Sequence, residues 1–177
     1  MGLAAENILQ RQFKAEAPVK WVTDITEFRA GGQKLYLSPI LDLFNGEIVA
    51  WETACRPTEE LVKRMLNKGL ESLEEEKPLL HSDQGWHYRI KSYQSALADK
   101  GLVQSMSRKG NCLDNAVMEN FFGHLKEEMY YRRDYRSVEE LENAVNEYIT
   151  YWNQKRIKLS LGGLSPVEYR TEYQKAG

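Results

Sequence analysis

The dipeptide Asn45-Gly46 places the tightest constraint on how this chain of 177 residues can fold. It stands between two apolar runs, residues 35–44 and residues 47–51. Both residues of the dipeptide tolerate positive φ, which a two-residue hairpin turn requires. We therefore predict an antiparallel hairpin. Residues 19–28 add a third strand, because they alternate in character, are rich in β-branched side chains and precede a turn at Gly31-Gly32.

A helical stripe after the hairpin predicts how the sheet continues. Its apolar residues recur at helical spacing and comprise Leu61, Val62, Met65, Leu66, Leu70 and Leu73. Pro78 then ends the helix and opens a fourth strand, residues 79–82. A long helix between two strands is the crossover that parallel pairing needs. A second helix over 90–97 and a fifth strand over 102–107 follow in the same order.

These elements predict an α/β fold. We expect a mixed five-stranded sheet flanked by helices, in which strands 1, 2 and 3 form an antiparallel meander and strands 4 and 5 run parallel to strand 1. The length suits one domain with arms. We assign an N-terminal arm to residues 1–17, the core to 18–136, and a C-terminal helix and tail packed on that core to 137–177, with residues 161–166 irregular. The C-terminal helix opens with a capping box at Ser137.

Bulk composition limits the possible classes of protein. No apolar run approaches the roughly 20 residues that span a bilayer, and no signal peptide is recognisable, so we expect a cytoplasmic protein without a membrane partner. Two cysteines suit a reducing compartment. The net charge of −2 argues weakly against DNA binding. However, basic residues gather around Glu119, namely Lys100, Arg108, Lys109, Lys126, Arg132, Arg133 and Arg136.

Three carboxylates form the candidate site: Asp24, Asp83 and Glu119. Asp24 lies within the first strand, Asp83 follows the fourth strand, and Glu119 lies in a helical segment, with 35 residues between Asp83 and Glu119. An aspartate in mid-strand is disfavoured by propensity, although an exposed edge strand would tolerate it. Asp42 on the second strand is a rival, ranked lower because it is close to the hairpin turn. The three acids can converge if strand 1 lies beside strand 4.

The helix that carries Glu119 has two faces. At 100° per residue, the apolar side chains fall within one arc, and Asn115, Glu119, Gly123 and Lys126 lie on the other side. Lys126 could bind a phosphate, although a solvated surface lysine is the plain alternative. Further candidate DNA contacts are the loop residues Arg108 and Lys109 and the amides Asn115 and Asn120.

Clustered carboxylates suit hard divalent cations that keep positions open for water and phosphate. Two such ions about 4 Å apart can hold the attacking and leaving oxygens of a displacement at phosphorus. We predict that Asp24 bridges two Mg²⁺ ions while Asp83 and Glu119 each bind one side. The histidines, His81, His87 and His124, are left out of the ligand set because Mg²⁺ does not favour imidazole.

Several segments together resemble a known family. They are residues 21–26, 81–85, 105–111 with 114–116, and 119–126, and the tail over 148–166 is similar as well. The resemblance is to integrase-core transposases of bacterial insertion sequences, the retroviral-integrase-like branch of the DDE superfamily. It covers roughly residues 18–170 and is specific, because the acids, their spacing and the basic loop agree.

The resemblance implies an RNase H-like fold, dependence on Mg²⁺ or Mn²⁺, and cleavage and joining of DNA strands at the ends of a mobile element. By position, Asp24, Asp83 and Glu119 match the catalytic acids, and Lys126 matches a DNA-contacting basic residue. It also implies a homo-oligomer when active. A hydrolytic nuclease with the same site, or a non-catalytic DNA-binding or assembly fragment, stays open as an alternative.

The sequence departs from the family pattern in three places. No room for a helix-turn-helix region precedes Trp21. Ile157 follows Arg156 where many relatives have histidine, and Trp86 follows Gly85 where relatives often have a small residue. The last difference could alter access to the acids.

Overall fold

The computed structural model describes residues 20–107 and 115–176. Six strands and five helices are present in these residues. The strands are β1 (Lys20–Thr23), β2 (Thr26–Ala30), β3 (Gln33–Asp42), β4 (Ile48–Ala54), β5 (Leu79–Ser82) and β6 (Gln104–Met106). The helices are α1 (Glu59–Glu71), α2 (Lys91–Asp99), α3 (Ala116–Glu128), α4 (Val138–Gln154) and α5 (Pro166–Ala176). Short 3₁₀ turns cover Trp86–Arg89, Tyr130–Arg132 and Leu159–Leu161.

The strands form one mixed sheet in the predicted directions. β3 pairs antiparallel with β1, β2 and β4. β5 pairs parallel with β1, and β6 pairs parallel with β5. The antiparallel meander and the parallel addition of the last two strands are therefore confirmed, and the fold is α/β.

The sheet has one strand more than predicted because the first strand is interrupted at Asp24. β1 pairs with the C-terminal half of β3, and β2 pairs with its N-terminal half. Between them, Asp24 Oδ1 accepts a hydrogen bond of 2.8 Å from the backbone N–H of Ile25. Aspartate competes for the backbone in this way and disfavours a regular ladder. The interruption turns Asp24 out of the strand and leaves its carboxylate at a break in the sheet.

The hairpin forms where the sequence predicts it, but its connection covers residues 43–47 and is longer than the predicted two-residue turn. The backbone N–H of Gly46 donates to the Asp42 carbonyl over 2.7 Å, and the N–H of Asp42 donates to the Glu47 carbonyl over 2.8 Å. Gly46 has a φ of 79°, which glycine adopts without strain. Trp152 of α4 donates from Nε1 to the Gly46 carbonyl over 2.8 Å. The turn is therefore bound to the C-terminal helix as well as to its own strands.

Helices cover both faces of the sheet, and neighbouring strand residues point into different cores. Val22 and Leu41 pack against α3 and α4, whereas Trp21 and Ile40 pack against α1 and α2. The apolar stripe of α1 is fully buried at Leu61, Val62, Met65 and Leu66. Truncating such a buried leucine to alanine costs about 2–5 kcal/mol. This packing holds the sheet rigidly and positions the ends of its strands.

The C-terminal tail contains a helix that we did not predict, since α5 begins at the end of the irregular segment 161–166 and continues to Ala176. Its start is capped in both directions: Glu168 Oε2 accepts from the Ser165 N–H over 2.8 Å, and Ser165 Oγ accepts from the Glu168 N–H over 3.3 Å. Pro166 occupies the first helical position, where proline is favoured. Ser165-Pro166-Val167-Glu168 is thus a capping box that the pattern of apolar residues does not reveal.

In the described ranges, no helix has both the length and the apolar character needed to cross a membrane.

Candidate active site at the ends of β1 and β5

Two of the predicted acids follow the ends of neighbouring parallel strands. Val22 of β1 is in register with His81 of β5. Asp24 and Asp83 each lie two residues beyond this pair. Because the strands are parallel, both aspartates emerge at the same rim of the sheet. The fold therefore brings together two carboxylates that are far apart in the sequence.

Backbone N–H groups hold both carboxylates in place. Ile25 donates to Asp24 Oδ1, and Gly85 donates to Asp83 Oδ1 over 2.7 Å. A Cβ at Gly85 would lie only 2.8 Å from Asp83 Oδ1, closer than real Cβ contacts. Position 85 thus favours glycine because the backbone approaches the carboxylate. In each aspartate, these bonds engage Oδ1 and orient the second oxygen.

The first turn of α3 brings the third acid to this rim. Asn115, which precedes the helix, is buried and donates from Nδ2 to the Thr23 carbonyl over 3.5 Å. Glu119 lies one turn later and is exposed. A hydrogen bond between the start of α3 and the end of β1 therefore joins the element bearing Glu119 to the strand that leads into Asp24.

The charges of the other two acids act on Asp24. Burial is the main cause that raises the pKa of Asp24 from 3.8 to about 6. The negative charges of Asp83 and Glu119 raise it further, while hydrogen bonds from Ile25 and Asn115 act in the opposite direction. Carboxylates that share a site repel one another in this way. The fully buried Tyr88 also has a raised pKa, mainly through burial and secondly through the charge of Asp24.

The donor set at this rim fits a hard divalent cation. It consists of carboxylate oxygens, and the mutual repulsion that raises the Asp24 pKa is relieved when a cation binds between the acids. The side-chain oxygen of Asn115 is buried beside them without a hydrogen-bond partner. Within residues 20–107 and 115–176, however, no three acidic, histidine or cysteine side chains are grouped tightly enough to surround one metal ion.

The predicted DNA contacts fall into different surroundings. In α3, Met118, Phe121, Phe122 and Leu125 are buried and Glu119, Asn120 and Gly123 are exposed, but the prediction that Asn115 shares the exposed face is wrong. A Cβ at Gly123 would meet nothing within 4 Å, so this face is open. Lys126 lies on it, half-buried, with Nζ 5.4 Å from the centre of the Phe28 ring. Asn115 faces inward instead, towards the acids and β1. Arg108 and Lys109 lie outside the described residues.

The remaining candidates lie apart from the acids or have other partners. Asp42 is paired with Trp21, near the opposite end of β1, and its Oδ1 accepts from the Phe44 N–H over 2.9 Å. His81 Nδ1 is 2.9 Å from Ser105 Oγ, and His87 Nε2 is 2.7 Å from the Pro57 carbonyl oxygen.

His124 Nδ1 is 3.5 Å from Glu128 Oε2. Each histidine therefore has a neighbouring partner within the protein.

Two positions that support the acids were not singled out from the sequence. Tyr88 lies beneath them, with its ring 3.6 Å from the position a Cβ of Gly85 would take. Gln84 donates from Nε2 to the Ser107 carbonyl over 3.0 Å and so ties the loop after β5 to the end of β6. Neither role has a local signal, because both depend on segments that meet only in the folded chain.

Comparison with protein families decides the classification of the chain. A family model described as "Integrase core domain" matches residues 14–112, and a second model with the same description matches residues 119–173. The first match alone covers more than half of the chain. The chain belongs to the integrase core domain family.

Curated relatives of this integrase core carry transposase names. The chain is 53% identical over 174 residues to the "Putative transposase InsK for insertion sequence element IS150" of Escherichia coli. It is also 53% identical over 173 residues to an "Uncharacterized transposase-like protein" of Haemophilus influenzae. It covers 97% of its own length in both matches, but 62% of the first relative and 80% of the second. The integrase core is thus shorter than these relatives.

Solved structures identify the fold of this integrase core. The HTLV-2 integrase catalytic core domain in complex with magnesium superposes with a TM-score of 0.68 at 16% identity, covering 96% of this chain and 99% of that one. A simian T-cell lymphotropic virus intasome chain superposes with a TM-score of 0.71 at 17% identity, and the match covers 89% of this chain and 55% of that one. The fold is therefore RNase H-like, as the resemblance implied.

Proposed function

We propose that this integrase core is the catalytic domain of a transposase, a metal-dependent polynucleotidyl transferase that cuts and joins DNA strands at the ends of a mobile element. The observation that carries the proposal is the parallel register of β1 and β5, which brings Asp24 and Asp83 to one rim, and the charge of Glu119 on Asp24 supports it. Convergent acids on this fold suit phosphodiester chemistry.

The relatives support the same chemistry. Two of them are named for insertion sequences, and the HTLV-2 core domain was solved with magnesium. The chain spans 62% of the length of the Escherichia coli relative and 33% of the Shigella flexneri relative named for IS1353. Recognition of the element's ends and choice of target therefore stay proposals.

Asp24, Asp83 and Glu119 would hold two Mg²⁺ or Mn²⁺ ions, with Asp24 shared between them. The bound ions supply activation of a water or a DNA 3′-hydroxyl and stabilisation of the departing oxygen. The protein's own contribution is to orient the acids before the cations arrive. The N–H groups of Ile25 and Gly85 fix one oxygen of each aspartate, and Asn115 steadies Asp24.

The open face of α3 would bind the DNA backbone. Lys126 is seven residues from Glu119, so both side chains project from one side of the helix. Its ammonium group would pair with a phosphate next to the reacting one, and Asn120 would donate a neutral hydrogen bond. We propose the same role for Arg108 and Lys109, which lie outside the described residues.

DNA and a second copy of the chain are the proposed partners. A transferase that joins two element ends to one target needs more than one active site. The HTLV-2 core was solved in trimeric and dimeric forms. We therefore expect the active form of this protein to be a homo-oligomer, acting in the bacterial cytoplasm.

The proposal is tested by a strand-transfer assay with a duplex carrying the element's terminal sequence. Wild-type protein should join this duplex to target DNA in Mg²⁺ or Mn²⁺ but not in EDTA. Asp83→Asn and Glu119→Gln should remove joining while leaving the circular dichroism spectrum unchanged. Substantial joining by either purified variant would refute the assignment of the acids. Cutting without joining would support the hydrolytic nuclease instead.

A further inference from the structure

Trp86 is exposed beside Asp83. It is 46% accessible, whereas Trp21 and Trp152 are 3% and 1% accessible. One face of the indole lies on the imidazole of His87, with ring centroids 3.9 Å apart and planes 28° apart. A single exposed aromatic residue needs no special explanation. Trp86 differs from such residues because its side chain is held in place, the cationic Arg89 is close in sequence, and the acids are nearby.

The segment that carries Trp86 is held at three points. His87 donates from Nε2 to the Pro57 carbonyl over 2.7 Å, and this bond fixes the tautomer because a carbonyl can only accept. Gln104 donates from Nε2 to the Tyr88 carbonyl over 2.7 Å. Gly85 donates to Asp83. The indole of Trp86 is therefore held in place by the hydrogen-bonded backbone of its turn and by the imidazole of His87, which is itself hydrogen-bonded.

Arg89 supplies a positive charge on the same turn. Residues three apart in a 3₁₀ turn lie on the same side, which places Arg89 with Trp86. Its Nε is buried and has no acceptor, and no carboxylate of the described residues pairs with its guanidinium. By contrast, Arg156 pairs with Glu128 and Arg170 pairs with Glu47, each over 2.8 Å. A guanidinium without a carboxylate is suited to bind phosphate.

We propose that Trp86 and Arg89 bind one unpaired nucleotide of the DNA beside the reacting phosphodiester. The base stacks on the indole face turned away from His87, and Arg89 binds an adjacent phosphate. The inference rests on the proposed function only in taking DNA as the ligand. Every base has a π-face, so this stacking is tolerant of sequence. Trp86 and Arg89 would position the strand and take no part in proton or metal chemistry.

The first test measures binding of an oligothymidylate of about 20 nucleotides in EDTA at fixed salt. Trp86→Ala should weaken binding about fivefold to a hundredfold, the range that loss of one base–aromatic stack produces. Trp86→Phe should restore part of the affinity. Tyr151→Ala is the matched control, because Tyr151 is 44% exposed on α4 and lies outside the turn, and it should bind like wild type.

Fluorescence gives a second readout that does not depend on activity. Stacking should quench the emission of Trp86, so wild type should be quenched by the oligonucleotide and Trp86→Phe should not. Asp83→Asn should be quenched like wild type. If strand transfer fails but this pattern holds, the proposed chemistry is wrong and the nucleotide site stands.

Salt dependence tests Arg89 separately. Arg89→Gln should reduce the slope of log affinity against log salt by about 0.7, the value for one phosphate contact on a single strand, and Arg89→Lys should restore it. Unchanged affinity in folded Trp86→Ala, or quenching retained in Trp86→Phe, would overturn the proposal. Equal weakening for single-stranded and duplex DNA of the same length would also overturn it, because a paired base cannot stack on the indole.

Discussion

The two rims of the sheet each bury an aspartate, and their surroundings differ. Asp24 and Asp42 both have a pKa raised from 3.8 to about 6, with burial as the main cause. The further charges near Asp42 are Glu47 and Arg170, which pair with each other over 2.8 Å, and Trp21 also hydrogen-bonds to it. The further charges near Asp24 are those of the acids Asp83 and Glu119. Burial and a raised pKa alone therefore do not mark the candidate active site, whereas uncompensated neighbouring acids do.

The largest expected difference between the rims is in strand transfer. Asp24→Asn removes a carboxylate that we assign to both cations, so activity should fall by more than about 1000-fold, as for groups that stabilise the transition state directly. Asp42→Asn should stay within about threefold of wild type, because Asp42 lies at the other rim. A strand-transfer assay compares the two variants. Comparable losses of activity would mean that the two rims do not differ in their role in strand transfer.

The stability of the cation-free protein should reveal the repulsion at the Asp24 rim. Because the folded-state pKa is raised, folded protein binds more protons than unfolded protein between about pH 4 and pH 6. Stability therefore falls as pH rises through this window and stays lower above it. In EDTA at pH 7.5, Asp24→Asn should be more stable than wild type by on the order of 1–3 kcal/mol.

Urea denaturation at pH 7.5 and at about pH 3.5 measures this effect. The advantage of Asp24→Asn should largely disappear at the lower pH, where Asp24 is mostly protonated in folded and unfolded protein. An advantage that persists there would show that charge is not its cause.

Divalent cations should stabilise one rim only. At ten times the dissociation constant, binding to the folded state contributes about 1.4 kcal/mol, which raises the Tm of a protein of this size by roughly 3–5 °C. Thermal denaturation in millimolar Mg²⁺ or Mn²⁺ should show this shift for wild type and for Asp42→Asn. Asp24→Asn should shift much less. No shift in wild type would favour the non-catalytic alternative.

The smallest expected effect concerns the ion pair at the Asp42 rim. Arg170→Ala removes the partner of Glu47, whose side chain is only 13% exposed, and should cost about 1 kcal/mol of unfolding free energy. Lys175→Ala on the same helix is the matched control, because its pair with Glu172 is 68% and 62% exposed and should contribute nothing measurable. Equal effects in urea denaturation would mean that the Glu47–Arg170 pair does not stabilise this rim.

Much of the fold could be read locally. Asn45-Gly46 predicted the turn, and the stripe of α1 predicted the crossover that makes β5 parallel to β1. Both are confirmed because turn chemistry and helical spacing act over a few residues. The interruption at Asp24 and the helix α5 were missed. The first depends on one side chain competing with a ladder, and the second on a capping box in a tail with few apolar residues.

In the candidate site, too, some features could be predicted from the sequence and others depend on the fold. The identity and spacing of Asp24, Asp83 and Glu119 could be recognised in the sequence, and their catalytic roles stay a proposal. Helical periodicity puts Asn115 on the same face as Glu119 and so predicts a DNA contact for it. The fold buries it against β1 and the acids, an environment that no local pattern indicates.

By itself, the sequence determined which acids are available, which elements carry them, and that a parallel pair of strands follows a hairpin. Only the tertiary structure decided which aspartates share a rim, since that depends on the register of Val22 with His81. Register comes from burying Trp21 on one face and Val22 on the other, and a slip of one residue would exchange the two faces. The physical reason is that packing acts between segments far apart in the chain, while turn and helix signals act between neighbours.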